Sequence, residues 1–311
     1  MVGNNPYDTL RSAAKYVRRF RDKVFVVKLG GEVLEHQPLR RLLAEQLAVL
    51  ASFSIRVVIV HGGGAELDAA CRALDIPIEK KAGRRVTSPR VLEAAKMVFA
   101  GPVHLDLLAD LRTAGLPCVG LTGIDAGLVQ AHRRPPVAVQ VDGRTELADF
   151  GLVGDIDLVD PKILTHLLEG DYVPVIAPLA GSDSGAIYNT NADTVAAAVA
   201  SALGAEKLIF VLKVPGLLED LADPTSLVTH CDPAALERME KAGRLRDGML
   251  PKAKAIKDAL AKGVKSVHLV SGTLPDALLV ETFTNEGCGT MVERAPLAAA
   301  PTRAPELEEQ A

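Results

Sequence analysis

The chain has 311 residues, enough for one large domain or two ordinary ones. Hydrophobic residues make up 48% and charged residues 24%, the balance of a globular protein, which excludes a chain-wide disordered or fibrous character. A net charge of −4, with 4% aromatics and no Trp, argues against a dedicated nucleic-acid surface and against stacking platforms for single-stranded bases.

Cys71, Cys118, Cys231 and Cys288 stand far apart with no CxxC pair, which is neither a disulfide framework nor a zinc site and suits a reducing cytoplasm. No uncharged apolar run approaches the roughly 18 residues of a membrane span, so no membrane insertion is expected. Met1 to Asp8 lack the apolar stretch of a signal peptide. The expectation is a cytoplasmic α/β protein.

From Thr9 to Arg21 the spacing of Leu10, Ala13, Ala14, Val17 and Phe20 predicts a helix, whose other face is basic. Either a solvated face or an oligomerisation or regulatory arm accounts for it. Val24–Leu29 is a continuous apolar run with β-branched residues, the pattern of a parallel strand buried on both faces. Helices are predicted at Leu39–Phe53, Ala65–Leu74, Arg90–Phe99 and Val103–Ala114, with strands at Arg56–Val60 and Pro117–Leu121. Between Gly127 and Val159, short alternating segments broken by Pro135, Pro136 and Gly143 predict hairpins. Strands follow at Val173–Ala177, Lys207–Leu212 and Ser266–Val270, and helices at Thr194–Leu203 and Pro251–Lys262. This alternation implies an open, mostly parallel central sheet sandwiched between helices. Residues 295–311, rich in Pro, Ala and Glu without a period, read as a disordered tail.

Four segments carry chemistry. Lys28 ends the first strand and is followed by Gly30 and Gly31, which allow backbone amides to approach a ligand closely. The second strand runs through His61 into Gly62, Gly63 and Gly64 and then a helix, a cradle of N–H donors at a positive helix end. Asn189, Asn191 and Asp193 crowd the start of another helix, and one N-cap needs only one of them. Gly248 precedes a helix with Pro251 in its first turn and Lys252 beside it, where the dipole disfavours a cation by about 0.3–1 kcal/mol unless an anion is bound. Arg85 is a candidate carboxylate clamp through its planar fork, or part of a solvated basic loop. Asp149-Phe150-Gly151 spells a protein-kinase triplet without its companions and reads as chance, and Gly181 to Gly185 has Asp where a nucleophile elbow needs Ser.

In their order along the chain these segments resemble the amino-acid kinase family, most closely its acetylglutamate kinases. The matching pieces include Val26 to Gly31, Val60 to Gly64, Gly83 to Thr87, Gly151 to Asp155, Asn189 to Asp193, Val214 to Gly216 and Gly248 to Lys252. The resemblance implies a helical extension over 1–23 and a kinase domain over 24–294. The half up to about residue 178 would bind the acyl amino acid, and the remainder ATP. It implies phosphorylation of the side-chain carboxylate of N-acetyl-L-glutamate with ATP and Mg²⁺ in arginine synthesis, the Mg²⁺ held mainly by the phosphates rather than by a protein metal site. Lys28, Asp193 and Lys252 would be catalytic, and Gly63, Gly64, Arg85 and Asn189 would hold the substrate. Gly30, Gly31, Gly62, Lys213, Gly216 and Gly248 would lie along the phosphates and nucleotide.

The first helix resembles the extension of arginine-inhibited members, implying feedback inhibition by L-arginine through Tyr16, Glu281 and Gly287, in a homodimer or a hexamer built as a trimer of dimers. Arg84 and Leu212-Lys213 depart from the family pattern of Leu and Thr-Asp. Val86 to Pro89 resembles the arginine-sensing domain of some acetylglutamate synthases. A non-catalytic arginine-sensing subunit is thus one alternative, and a kinase for a related substrate such as an acylated aminoadipate is another. The joint presence of Lys28, Asp193 and Lys252 favours catalysis.

Overall fold

A computed structural model describes residues 6–141, 144–220, 222–223, 225–245, 248–284 and 287–294. The tail expected over 295–311 lies outside the described residues. The chain runs through helix α1 (Pro6–Phe20), strand β1 (Val24–Leu29), the single turn α2 (Gly31–Leu34), α3 (Gln37–Ser52), β2 (Arg56–His61) and α4 (Gly64–Ala73). The ribbon β3 (Lys80–Lys81) and β4 (Arg84–Arg85) leads to α5 (Pro89–Phe99), α6 (Pro102–Thr113) and β5 (Cys118–Thr122). Next come β6 (Val129–Arg133), β7 (Val137–Val141), β8 (Arg144–Ala148), β9 (Gly154–Val159) and α7 (Lys162–Glu169). Then follow β10 (Val173–Ala177), β11 (Leu179–Gly181), β12 (Ile187–Asn189), α8 (Ala192–Ala202) and β13 (Lys207–Leu212). The last elements are β14 (His230–Cys231), α9 (Pro233–Lys241), α10 (Met249–Ala261), β15 (Ser266–Ser271), α11 (Ala277–Phe283) and β16 (Thr290–Glu293).

Eight strands form the central sheet in the order β14-β16-β15-β13-β1-β2-β10-β5. All neighbours pair parallel except β15 with β16. Strand alternation divides the core into two layers. Val26, Val58, Val60 and Phe210 pack with α8 and α10, whereas Phe25, Val27, Leu29, Ile59 and Ile209 pack with α3 to α6 and α11. The expected sandwich is therefore present, with Lys28 on the α8 side of β1. From β1 the chain moves to β2 on one side, and β13 later joins β1 on the other, so the order reverses beside β1. A ligand crevice forms at the carboxyl ends of strands at such a switch.

The expected strands Val24–Leu29, Val173–Ala177 and Lys207–Leu212 match the observed ones. Over 127–159 the hairpin β7–β8 is present, but β6 skips it to pair antiparallel with β9. Helices α2, α7, α9 and α11 and strands β3, β4, β11, β12, β14 and β16 were not anticipated. The strands among them span two to four residues and the helices four to nine, too short for a period to stand out.

Candidate active site

Alternation along β1 sends Lys28 toward α8, while Leu29 faces the other layer. Asn191 caps α8, its Oδ1 accepting from Asp193 N at 2.8 Å and Thr194 N at 3.2 Å. One of the three crowded polar residues therefore serves the helix, and Asp193 is released to face β1. Lys28 Nζ lies 2.8 Å from Asp193 Oδ1, and Lys252 Nζ, from α10, lies 2.7 Å from Oδ2. The three side chains are 8–11% exposed.

Burial opposes the charge on Asp193, but the two lysines outweigh it and hold the carboxyl at about 2. Burial and the facing Lys28 press Lys252 down to about 8 against the pull of Asp193. One carboxylate shared by two ammonium groups leaves a buried excess of positive charge, a place for a polyanion. Phe210 supports Lys252 from below, with Nζ 4.8 Å from the ring centre.

The two glycine turns pack backbone to backbone next to these lysines. Gly62 N donates to Leu29 O at 2.9 Å. A Cβ on Gly31 would stand 3.2 Å from both Gly63 N and Gly64 N, so the two amides converge on space that only a glycine leaves open. Glu66 Oε2 borders the same gap, buried without a hydrogen-bond partner among the described residues, and burial raises its pKa. The caps of α4, α8 and α10, which are Gly63, Asn191 and Gly248, all line one cavity of about 670 Å³. Three positive helix ends thus meet there with the lysines.

On the cavity's far wall, Arg85 Nη2 donates to Asp68 Oδ1 at 2.5 Å and to Gly64 O at 2.7 Å, while its buried Nε has no partner among the described residues. Asn189 Nδ2 donates to the buried Thr87 Oγ1 at 3.1 Å. The Asp149-Phe150-Gly151 triplet contributes a wall rather than chemistry: Phe150 lines the cavity, and Gly151, at φ 69°, lies so close to Thr87 O that a Cβ would be 2.4 Å from it. A second cavity, about 770 Å³, opens at the opposite end of the sheet beside Arg56, Pro117 and Tyr172. Its one glycine, Gly115, sits in a turn after α6 with no facing glycine turn, and no buried ion pair lines it among the described residues, so the chemistry is assigned to the first.

Lys28, Gly31, Gly62, Gly63, Gly64, Arg85, Asn189, Asp193 and Gly248 share the cavity, with Lys252 joined through Asp193 and Gly30 adjoining through the turn. Lys213 is exposed at the end of β13 and does not line the cavity. Gly216 is buried against Thr290, whose Oγ1 accepts from Leu217 N at 2.9 Å, so its smallness serves packing there.

Tyr16, Glu281 and Gly287 lie elsewhere. His268 Nδ1 donates to Glu281 Oε1 at 2.7 Å, and Cys288 N and Gly289 N donate to Oε2 at 2.8 and 3.0 Å. Burial works against the Glu281 charge, but these bonds outweigh it and keep the carboxyl below its ordinary value. Lys207 Nζ donates to His268 Nε2 at 2.7 Å and sits 5.1 Å above the Phe20 ring, which stacks on Tyr16. Gly287 packs over Glu281.

Asp68, Thr87, Arg134 and the buried His61 were not singled out as site residues. Asp68 was the most accessible to foresight, since it lies one helical turn beyond Gly64 and so above the glycine turn.

A model of the amino acid kinase family matches residues 23–271. The acetylglutamate kinase of Myxococcus xanthus is 62% identical over 93% of this chain and 95% of its own length. The chloroplastic acetylglutamate kinase of Arabidopsis thaliana is 38% identical over 94% and 82%. Among solved structures, the N-acetylglutamate synthase of Neisseria gonorrhoeae, complexed with coenzyme A and N-acetyl-glutamate, superposes with a TM-score of 0.80 at 26% identity. It is covered over 94% of this chain, which spans only 65% of the synthase's length. The chain belongs to the amino acid kinase family, and its curated relatives over most of its length are acetylglutamate kinases.

Proposed function

We propose that the protein transfers the γ-phosphoryl group of ATP to the side-chain carboxylate of N-acetyl-L-glutamate, giving N-acetyl-L-glutamyl 5-phosphate and ADP. The observation that carries this reading is the bridge from Lys28 through Asp193 to Lys252 beside two facing glycine turns. The similarity to acetylglutamate kinases over most of both chains supports the choice of substrate.

A carboxylate with a pKa near 4.3 is already ionised at pH 7, so the attack needs no general base. A carboxylate oxygen forms the new bond to phosphorus as the bond to the bridging oxygen of ADP breaks, and that oxygen leaves with the electron pair. The site's task is in-line positioning and neutralisation of the phosphoryl oxygens. Lys28 and Lys252 supply the charge, Asp193 holds both ammonium groups, and the Gly63 and Gly64 amides face the transferred group. Arg85 and Asn189 take the substrate's α-carboxylate. ATP lies over the half of the chain after Leu179. Both oxygens of Asp193 are engaged by lysines, so Mg²⁺ is carried by the nucleotide phosphates, whose charge it neutralises.

Control by L-arginine, and assembly as a dimer or a trimer of dimers, are part of the same proposal. They are supported by the basic helix α1 resting, through Phe20, on the Lys207, His268 and Glu281 network.

Purified protein is incubated with MgATP and N-acetyl-L-glutamate in hydroxylamine, with and without L-arginine. Hydroxamate suppressed by arginine supports both activity and control. Hydroxamate indifferent to arginine removes the control alone. No hydroxamate, with arginine still raising the melting temperature, replaces the kinase with a sensor.

A further inference from the structure

His61 closes β2, is fully buried, and takes no direct part in the scheme above. Its Nδ1 is 2.8 Å from Gly62 O, and its Nε2 is 2.9 Å from Nδ1 of His104 on α6. A carbonyl oxygen can only accept, so Nδ1 of His61 carries the proton. Nε2 of the neutral ring must then accept, so His104 Nδ1 donates. Burial keeps both rings neutral at pH 7, lowering His61 to about 4 and His104 below its ordinary value. Gly120 on β5 accommodates the second ring: a Cβ there would be 2.3 Å from His104 Nε2. The direction of both hydrogen bonds is therefore set by the single carbonyl at the end of the pair.

That carbonyl belongs to the peptide linking Gly62 to Gly63. In a trans peptide the N–H points opposite to the C=O, and among the described residues no peptide bond is cis. With Gly62 O drawn toward the α6 layer by His61, the Gly63 N–H is turned the other way, into the gap above Gly31 where it converges with the Gly64 amide. Among the described residues neither amide meets a protein acceptor. Gly63 has no Cβ to resist rotation, so its peptide plane depends on such outside restraints. His61 supplies such a restraint at Gly62 O, whereas Gly62 N on Leu29 O fixes the preceding His61–Gly62 peptide.

We propose that His61, braced by His104, is a positioning residue that locks the Gly62–Gly63 peptide so that the Gly63 N–H addresses the transferred phosphoryl group. This rests on the kinase reading for its catalytic consequence, but not for its anion-binding consequence. The pair acts through the backbone and touches no substrate atom. Losing the Nδ1 donor frees the peptide to turn, and an anion-stabilising amide that wanders is lost mainly from the transition state.

Four variants test it. His61→Leu removes the donor, and His61→Asn restores an N–H at nearly the same place; His104→Leu and His104→Asn do the same one step behind. His61→Leu should lower kcat by about 10- to 100-fold with KM for N-acetyl-L-glutamate moving less than about threefold, and His61→Asn should recover most of the loss. His104→Leu should repeat the pattern more weakly and His104→Asn abolish it, which keeps the test open should His61→Leu fail to fold.

In parallel, [¹⁵N]glycine-labelled protein is titrated with inorganic phosphate. The Gly63 amide resonance should move downfield in the wild type and in His61→Asn, and hardly at all in the Leu variants. A Leu variant with wild-type kcat and an unchanged Gly63 response overturns the inference, as does an Asn variant no better than Leu. Wild-type protein that makes no hydroxamate overturns the kinase reading alone, and the phosphate titration then decides whether His61 orients the amide.

Discussion

Asp68 holds Arg85 against the cavity: the guanidinium Nη2 is 2.5 Å from Asp68 Oδ1, and the same carboxylate reaches Lys80 Nζ with Oδ2 at 3.2 Å. The arginine that is to clamp a substrate carboxylate is thus oriented before substrate arrives, at the cost of sharing its charge with an acid. Orientation matters because an Arg fork recognises a carboxylate by its plane as well as by its charge.

Asp68→Ala should therefore raise KM for N-acetyl-L-glutamate by about tenfold while leaving kcat within a few-fold, since it loosens a charged hydrogen bond on a binding group. Steady-state kinetics at saturating ATP check this. A kcat that falls as far as KM rises would place Arg85 at the reacting centre.

Lys28→Ala and Lys252→Ala should each lower kcat by about 10²–10³, with much smaller changes in KM, because their charge is needed as the phosphoryl group transfers. Asp193→Asn should also lower the melting temperature, since two buried lysines lose their counter-charge, a loss of about 3–5 kcal/mol for a broken buried ion pair. Calorimetry beside kinetics separates the two effects. A lysine variant altered only in KM for ATP is a binding group.

The triad has opposite consequences for activity and stability at high pH. Lys252, held at about 8 instead of 10.5, loses its proton first in the folded protein without nucleotide, so kcat/KM for ATP should fall above pH 8 by about tenfold per unit. Between 8 and 10.5 the unfolded chain binds more protons at this site than the folded one, so the same group makes stability rise with pH. Asp193 behaves in the other sense at low pH. Its pKa of about 2, below the ordinary 3.8, gives stability that is full above 3.8 and lost as pH falls through 2. A pH profile of kcat/KM and denaturant melts from pH 2 to pH 10 read these trends, and a kcat/KM for ATP that holds to pH 10 would remove Lys252 from the chemistry.

Helix α1 can be tested without disturbing the core only if Phe20 is kept. It is 2% exposed, and its ring lies 5.2 Å from that of Phe25 at 70°. Removing residues 1–15 should abolish arginine inhibition and leave a dimer by sedimentation, with kcat unchanged. A truncated protein that remains fully arginine-sensitive removes the regulatory role of α1.

Sequence alone determined the long central strands and the nature of the site's parts. Val24–Leu29, Val173–Ala177 and Lys207–Leu212 were legible because a strand buried on both faces is apolar at nearly every position, and the buried lysines Lys28 and Lys207 stand out against that run. The glycine turns were legible because a strand, two or three glycines and a helix are contiguous. The surplus of polar residues around Asn191 was legible because one cap cannot use three.

Tertiary structure alone decided what those parts meet. Asp193 and Lys252 are 59 residues apart, His61 and His104 are 43 apart, and Arg85 finds Asp68 across a hairpin. Each pairing depends on strand order and on which layer a side chain enters, and no local period encodes either. The same reason removed Lys213 and Gly216 from the cavity although they follow a central strand: leaving β13, Lys213 turns to solvent and Gly216 against Thr290. Residue types set which chemistry was available, and the order β13-β1-β2-β10 brought it to one place.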